Sequence, residues 1–288
     1  SEEQMKLSQA RLPLLILVVV FSTSGCGVVN RIRAKNELNE AARAYKAGKF
    51  SEAEQHSKRA LELDPEQKTA PSFIARSIHA QYRPGVDTPD NKRKATEAVE
   101  AYKRILEKDP TNEEAYKAIA ALYGALDENQ QRQWILQRAS NGSVPEAKRA
   151  EAYTILASKD WNCSYTITEQ TANKKTEQKE GKTVIVFQKP KEAKDFETAQ
   201  QCVARGMEEA EKAISLDGNN DAAWSFKTNL LLESAKLAEM DGNANKKAEY
   251  TKLAEEAQKR TTELSEQNQK RKEEEEKNKP KPPQAPAG

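Results

Sequence analysis

The feature that most restricts how this chain can fold is a spaced set of small and large residues. In "AARAYKAGKFSEAEQHSKRALELDP", Ala41, Gly48, Phe50, Ala53, Ala60 and Pro65 follow one another at steps of 7, 2, 3, 7 and 5 residues. Two antiparallel helices joined by a short turn satisfy that spacing. The alanines let the helix axes approach closely, and Phe50 fills the gap at the turn. Ser51 and Glu54 stand at capping-box spacing for the second helix, and Asp64-Pro65 ends it. The pattern recurs in phase. "ATEAVEAYKRILEKDPTN" repeats the second helix with Ala98, Tyr102, Ile105 and Pro110, and "NEEAYKAIAALYGAL" supplies a first helix with Tyr116, Ile119, Ala120 and Tyr123. "AEAYTILA" and "NDAAWSFKTNLLLESAKLAEM" restart the first-helix pattern with Tyr153 and Trp224, and "MEEAEKAISLDGNN" resembles the "ALELDPEQ" ending, with Gly218 in place of proline.

These intervals resemble those of tetratricopeptide (TPR) repeats over roughly residues 34–265. The resemblance implies an all-α, TPR-like superhelix of about five helical hairpins, whose concave face is lined by first helices and holds an extended peptide or a partner helix. Carried over by position, the groove-facing sites fall on Leu38 and Ala42, Lys117 and Ala121, Thr154, Ser158 and Trp161, and Ser225, Asn229 and Leu232. The peptide-carboxylate clamp of some TPR domains needs basic and asparagine residues on neighbouring first helices. Only Lys117 and Asn229 resemble it, two repeats apart, so that clamp is not expected. Trp161 reads either as a groove anchor or as a core cap over an inserted hairpin.

Two insertions interrupt the period. "YRPGVDTPDN" (82–91) reads as an irregular loop inside the second repeat. "CSYTITEQ" alternates Tyr165 and Ile167 with threonines, and "KTVIVFQK" is β-branched, with the turn-rich "TANKKTEQKEG" between them. Together they predict a β-hairpin over about residues 164–189, between the helices of the fourth repeat, or alternatively a disordered loop. A lone two-stranded hairpin is marginal in water, so its apolar face is expected to pack on helices. The end of the chain, 266–288, is charge blocks followed by proline and reads as a fraying helix and then a disordered tail.

The start of the chain has a different character. Met5, Lys6 and Arg11 form a short basic region, Leu12 to Phe21 an apolar run, and Ser22 to Gly25 a small-residue zone that ends at Cys26. Ten apolar residues cover about half of what a bilayer core requires. "STSGC" resembles the lipobox of bacterial lipoproteins, although Thr23 stands where leucine is usual. That resemblance implies a signal peptide over 1–25, lipidation at Cys26 and a lipidated linker over 26–33. An ordinary signal peptide with Cys26 incidental, or an uncleaved anchor, are the alternatives. Gly27 is not the aspartate that retains well-studied lipoproteins at the inner membrane, which points to the outer membrane.

If Cys26 carries lipid, Cys163 and Cys202 remain as an even pair in an exported chain, where oxidation is the default. Cys163 would close the fourth repeat's first helix and Cys202 lie early in its second, so a disulfide would staple the base of the insertion. The alternative is two small buried residues that never meet.

No catalytic signature emerges. Lysine plus arginine (47) and aspartate plus glutamate (45) nearly cancel, which removes the basic excess of a nucleic-acid binder. His56 and His79 fall in separate repeats without ligand spacing, so neither a metal site nor a cofactor is expected. No phosphate loop or nucleophile elbow occurs. The expectation is therefore a non-enzymatic, membrane-anchored periplasmic scaffold for protein partners, comparable to the TPR lipoproteins of outer-membrane barrel assembly or of pilus secretins. The alternatives are a carrier of a small apolar or glycan ligand, or a structural stalk.

Overall fold

A computed structural model describes residues 11–179 and 181–278, with side chains from Gly27 onward. In chain order its helices are α1 (Arg11–Lys46), α2 (Phe50–Leu63), α3 (Ala70–His79), α4 (Pro89–Lys108), α5 (Glu113–Leu126), α6 (Glu128–Ser140), α7 (Glu146–Thr168), α8 (Ala193–Leu216), α9 (Asp221–Met240) and α10 (Ala244–Asn278). Strands β1 (Lys174–Lys179) and β2 (Lys182–Phe187) lie between α7 and α8. The all-α, TPR-like reading with one small β-hairpin in the fourth repeat holds. Two compact units divide between Gln131 and Arg132, so α5 closes the first and most of α6 opens the second.

In the first unit each helix packs on the next, from α1 through α5. Ala41, Ala53, Ala60, Ala95 and Ala98 are completely shielded, as close helix contacts require. Ala34, Ala60 and Ala70 form one core cluster with Leu38, Leu61 and Leu63 against it. The Pro/Gly loop before α4 is organised by buried Asn91. Its amide donates to the carbonyls of Arg83 and Val86, each at 2.8 Å, and its Oδ1 accepts from the Arg83 N–H at 2.8 Å. The capping box read at Ser51 and Glu54 does not form. Lys49 is the N-cap without a side-chain bond, because Glu54 is buried and accepts from Lys58 and Gln81. His56 Nδ1 lies 2.7 Å from Glu37 Oε2 across the α1–α2 contact.

In the second unit α7 packs on α8, α8 on α9, α9 on α10 and α7 on α9. Ile135, Ala139, Ala152, Tyr153, Leu156, Ala213 and Ala223 form one core cluster, and Ala157, Ala210 and Leu230 another. Gly206 on α8 sits in a close contact with α7 and α9. A Cβ there would stand 2.8 Å from Leu230 Cδ2 and 3.1 Å from Asp160 Cβ.

The expected strand over "CSYTITEQ" is corrected. Residues through Thr168 continue α7, and the hairpin is confined to Lys174–Phe187 instead of 164–189. The buried face of α7 runs Tyr153, Ala157, Asp160, Ser164 and Thr168, a helical stripe whose last three members are polar and so escape a hydrophobic pattern. β1, "KKTEQK", has no apolar residue. It is a strand because its backbone pairs antiparallel with β2, from Lys174↔Phe187 to Lys179↔Lys182, and Gly181 just before β2 takes φ +76°. Phe187 packs against Ala199, Val203, Leu237 and Met240, whereas Ile185 stays exposed, so only the base of the hairpin joins the core.

Residues 266–278 continue α10: Leu264 is buried, Asn268 Nδ2 donates to the Asn219 carbonyl at 3.4 Å, and glutamate and lysine are strong helix formers. The linker segment 26–33 belongs to α1. The expected signal peptide and tail extend into residues 1–10 and 279–288, which lie outside the described residues, as does the side chain of Cys26. Among the described residues searched, no helix is long and apolar enough to cross a membrane.

Candidate partner-docking face

The first helices of the last two hairpins, α7 and α9, carry adjacent stripes of exposed and half-buried residues. On α7 the stripe is Ile155, Ser158, Asn162 and Tyr165, and on α9 it is Ala222, Ser225, Asn229 and Leu232, both at steps of 3 or 4 residues. Trp161 and Phe226 join them, with ring centroids 6.0 Å apart, and Trp161 meets Tyr165 at 5.0 Å. Trp161 is half-buried, its body packed on Ala157, Ala210 and Leu230. What it caps is the α7–α8–α9 junction, not the hairpin. Ile155, Tyr165 and Leu232 remain 43%, 40% and 43% exposed.

A polar network beside this face ties α7 to α9. Glu233, buried on α9, accepts hydrogen bonds from Ser164 Oγ at 3.0 Å, Thr168 Oγ1 at 2.7 Å and Lys236 Nζ at 2.6 Å. Lys236 also donates to Glu169 at 2.6 Å and lies 5.1 Å from the ring centroids of both Tyr165 and Phe187. Burial alone would lower the Lys236 ammonium. Its bonds to Glu169 and Glu233 outweigh that and raise it. Burial pushes Glu169 up, but Lys174 and Lys236 hold it below the usual carboxylate range. The end of α7, the hairpin base and α9 are thus tied by charge-assisted bonds. Cys163 on α7 and Cys202 on α8 are joined in a disulfide, with Cα atoms 6.1 Å apart.

The residues expected in the groove are placed unevenly. Ser158, Trp161, Ser225, Asn229 and Leu232 lie on the α7–α9 face, the first four half-buried. Thr154 does not: it is buried, donates to the Ala150 carbonyl at 2.8 Å and accepts from Asn220 Nδ2 at 3.2 Å. Its place is structural because Asn220, capping α9 at the Ala223 N–H, turns toward it. In the first unit, Leu38 is half-buried against its core cluster and Ala42 is half-buried nearby, while Lys117 and Ala121 are exposed on α5. Ile155, Tyr165 and Phe226 were missed because positions were transferred by repeat phase. The signal available was the apolar excess of α9, where Leu230 and Leu231 are buried and Leu232 is left outside.

The opposite side of α9 forms two adjoining clefts of about 400 and 520 Å³ that share Met207 and Leu231. Among the described residues no group of three or more His, Cys, Asp or Glu side chains is placed to hold a metal ion.

No protein-family model matches the chain, and no curated protein does. Several solved structures are similar. MamA is 16% identical with a TM-score of 0.38, covering 80% of this chain and 94% of that one. A structure of Pseudomonas aeruginosa pilF is 14% identical with a TM-score of 0.34, covering 77% and 90%. The yeast Sti1 TPR2AB domain in complex with an Hsp90 peptide is 17% identical with a TM-score of 0.29, covering 81% and 98%.

Proposed function

We propose that this chain is a non-enzymatic scaffold that binds protein or peptide partners on the α7–α9 face and is held at a bacterial membrane by its N-terminus, on the periplasmic side. The observation that carries the binding half is the exposed stripe of Ile155, Tyr165 and Leu232 around the Trp161–Phe226 contact, set in a frame fixed by the Glu233–Lys236 network. Rigid aromatic and aliphatic anchors beside amide side chains such as Asn162 and Asn229 are what a peptide interface uses. The membrane half is supported by the basic, apolar and small-residue succession that ends at Cys26. The Cys163–Cys202 disulfide agrees with an oxidising compartment.

The test is site-specific photo-crosslinking in envelope vesicles, with the photoreactive residue at Ile155, at Leu232 or, as control, at Lys212. Adducts to a defined protein are expected from the first two and not from the third. Ile155→Asp with Leu232→Asp should abolish them while the helical spectrum is kept. Undiminished capture by that double variant sinks the binding half. Recovery of the wild-type chain unacylated in the soluble fraction sinks the anchoring half.

A further inference from the structure

The first described turns of α1 do not have the character of a linker. Val28, Val29 and Ile32 are 58%, 45% and 56% exposed, a denser set of exposed large apolar side chains than anywhere else in the described chain. At roughly 100° per residue they occupy one arc of about 100°. Ala34 and Ala41, the two fully shielded residues of the helix among those described, point roughly half a turn away, and buried Ala44 also lies outside the arc. The stripe therefore faces away from the protein's own core. Arg31 and Lys35 border one side of it and Arg33 the other, all exposed. No acidic residue stands between Gly27 and Asn36, and the next one, Glu37, is engaged with His56 at 2.7 Å.

We infer that residues 27–35 seat on an anionic bilayer surface, with Val28, Val29 and Ile32 at the headgroup–acyl boundary and Arg31, Arg33 and Lys35 against lipid phosphates. An apolar arc bordered on both sides by cations is the pattern of an interfacial helix. The three cations complement anionic headgroups. A second copy of the chain is a poor occupant, because docking the stripes together sets the same cations against each other. The apolar run Leu12 to Phe21 precedes this segment in the same helix, so the surface is at hand if the N-terminus is anchored. The inference rests on the anchored reading for its proximity to lipid, not on Cys26 carrying the acyl chains. Its consequence is orientation: a helix lying on the surface fixes how the first unit is presented, which a flexible linker would not do.

The experiment measures partition of the full chain carrying Cys26→Ser into vesicles of phosphatidylcholine alone and of phosphatidylcholine with phosphatidylglycerol. Lys6 and Arg11 are common to every variant, so differences report residues 27–35. The parent should prefer the anionic vesicles, and Arg31→Gln/Arg33→Gln/Lys35→Gln should lose that preference by roughly fivefold per charge removed. Val28→Ser/Ile32→Ser should weaken partition into both kinds. An unchanged preference in the triple variant overturns the proposal. Should that variant aggregate, Ile32→Trp decides: quenching by lipids brominated near the headgroup is expected, and an emission indifferent to vesicles overturns it. Acylation of wild-type Cys26, read separately by mass spectrometry, shows whether the anchored reading stands or falls on its own.

Discussion

Glu209 on α8 meets Asp160 on α7 inside the second unit, acceptor against acceptor. Both residues are buried, and Glu209 Oε2 and Asp160 Oδ2 each lack a hydrogen-bond donor. Arg132 pairs with both carboxylates, reaching Asp160 Oδ2 at 3.0 Å without good alignment, and Arg205 holds Asp160 Oδ1 at 2.9 Å. A single shared proton resolves the conflict, since one carboxyl then donates to the other. Burial, and next the hydrogen bond and charge of Asp160, push Glu209 up to about 8, against the pull of the two arginines.

A pH dependence follows from that proton. The folded chain holds it up to about pH 8, whereas the unfolded chain releases it near the ordinary value of 4.5. The stabilisation is complete below 4.5 and is lost as pH rises through about 8. Urea midpoints should therefore fall from pH 5 to pH 9. Glu209→Gln, which supplies an amide donor to Asp160, should flatten this trend and cost under about 1 kcal/mol at pH 7. Parallel slopes in the two proteins would falsify the shared-proton account.

Gly206→Val should destabilise the second unit. Its first added carbon already meets Leu230 and Asp160 Cβ at 2.8 and 3.1 Å, and the branched methyls have no room. Overpacking of this kind costs about 1–3 kcal/mol. The check is thermal unfolding, with Gly142→Val as reference, since nothing lies within 4 Å of a Cβ there. Equal melting temperatures would mean that α7 and α8 can separate freely.

Reducing or removing the disulfide should loosen the base of the hairpin. Cys163 and Cys202 are 39 residues apart, and closing a loop of that size removes about 4 kcal/mol of unfolded-chain entropy, an upper figure before strain. Cys163→Ala/Cys202→Ala should lower the unfolding midpoint and raise hydrogen exchange at Lys174–Phe187. Two free thiols besides Cys26 in denatured, unreduced protein would show that the bridge does not form in the cell.

The repeat phase predicts that Ala53→Trp or Ala98→Trp disrupts the first unit by about 1–3 kcal/mol or more, because both positions are fully shielded between helices. Circular dichroism melts check this, and unchanged transitions for both variants would leave the small-residue contacts without their assigned role.

The helical hairpins were legible before any coordinates, because their cause is local. Alanine at 53, 60 and 98 admits a neighbouring helix whichever helix it is, and Asp64-Pro65 stops α2 by itself. The pairing of Cys163 with Cys202 was legible for a related reason: only two cysteines remained once Cys26 was set aside. What the tertiary structure decided depends on partners distant in sequence. "KKTEQK" is a strand only because β2 offers a backbone to pair with, and "SYTIT" is helix because Ser164 and Thr168 find Glu233, 69 and 65 residues further on. Thr154 turned inward to Asn220, and Gly206 became a contact point only when Asp160 and Leu230 closed over it. Periodicity reports which residues can be buried. Which polar groups go with them is settled by the donors and acceptors that other helices bring, because a buried polar atom is tolerated only beside its partner.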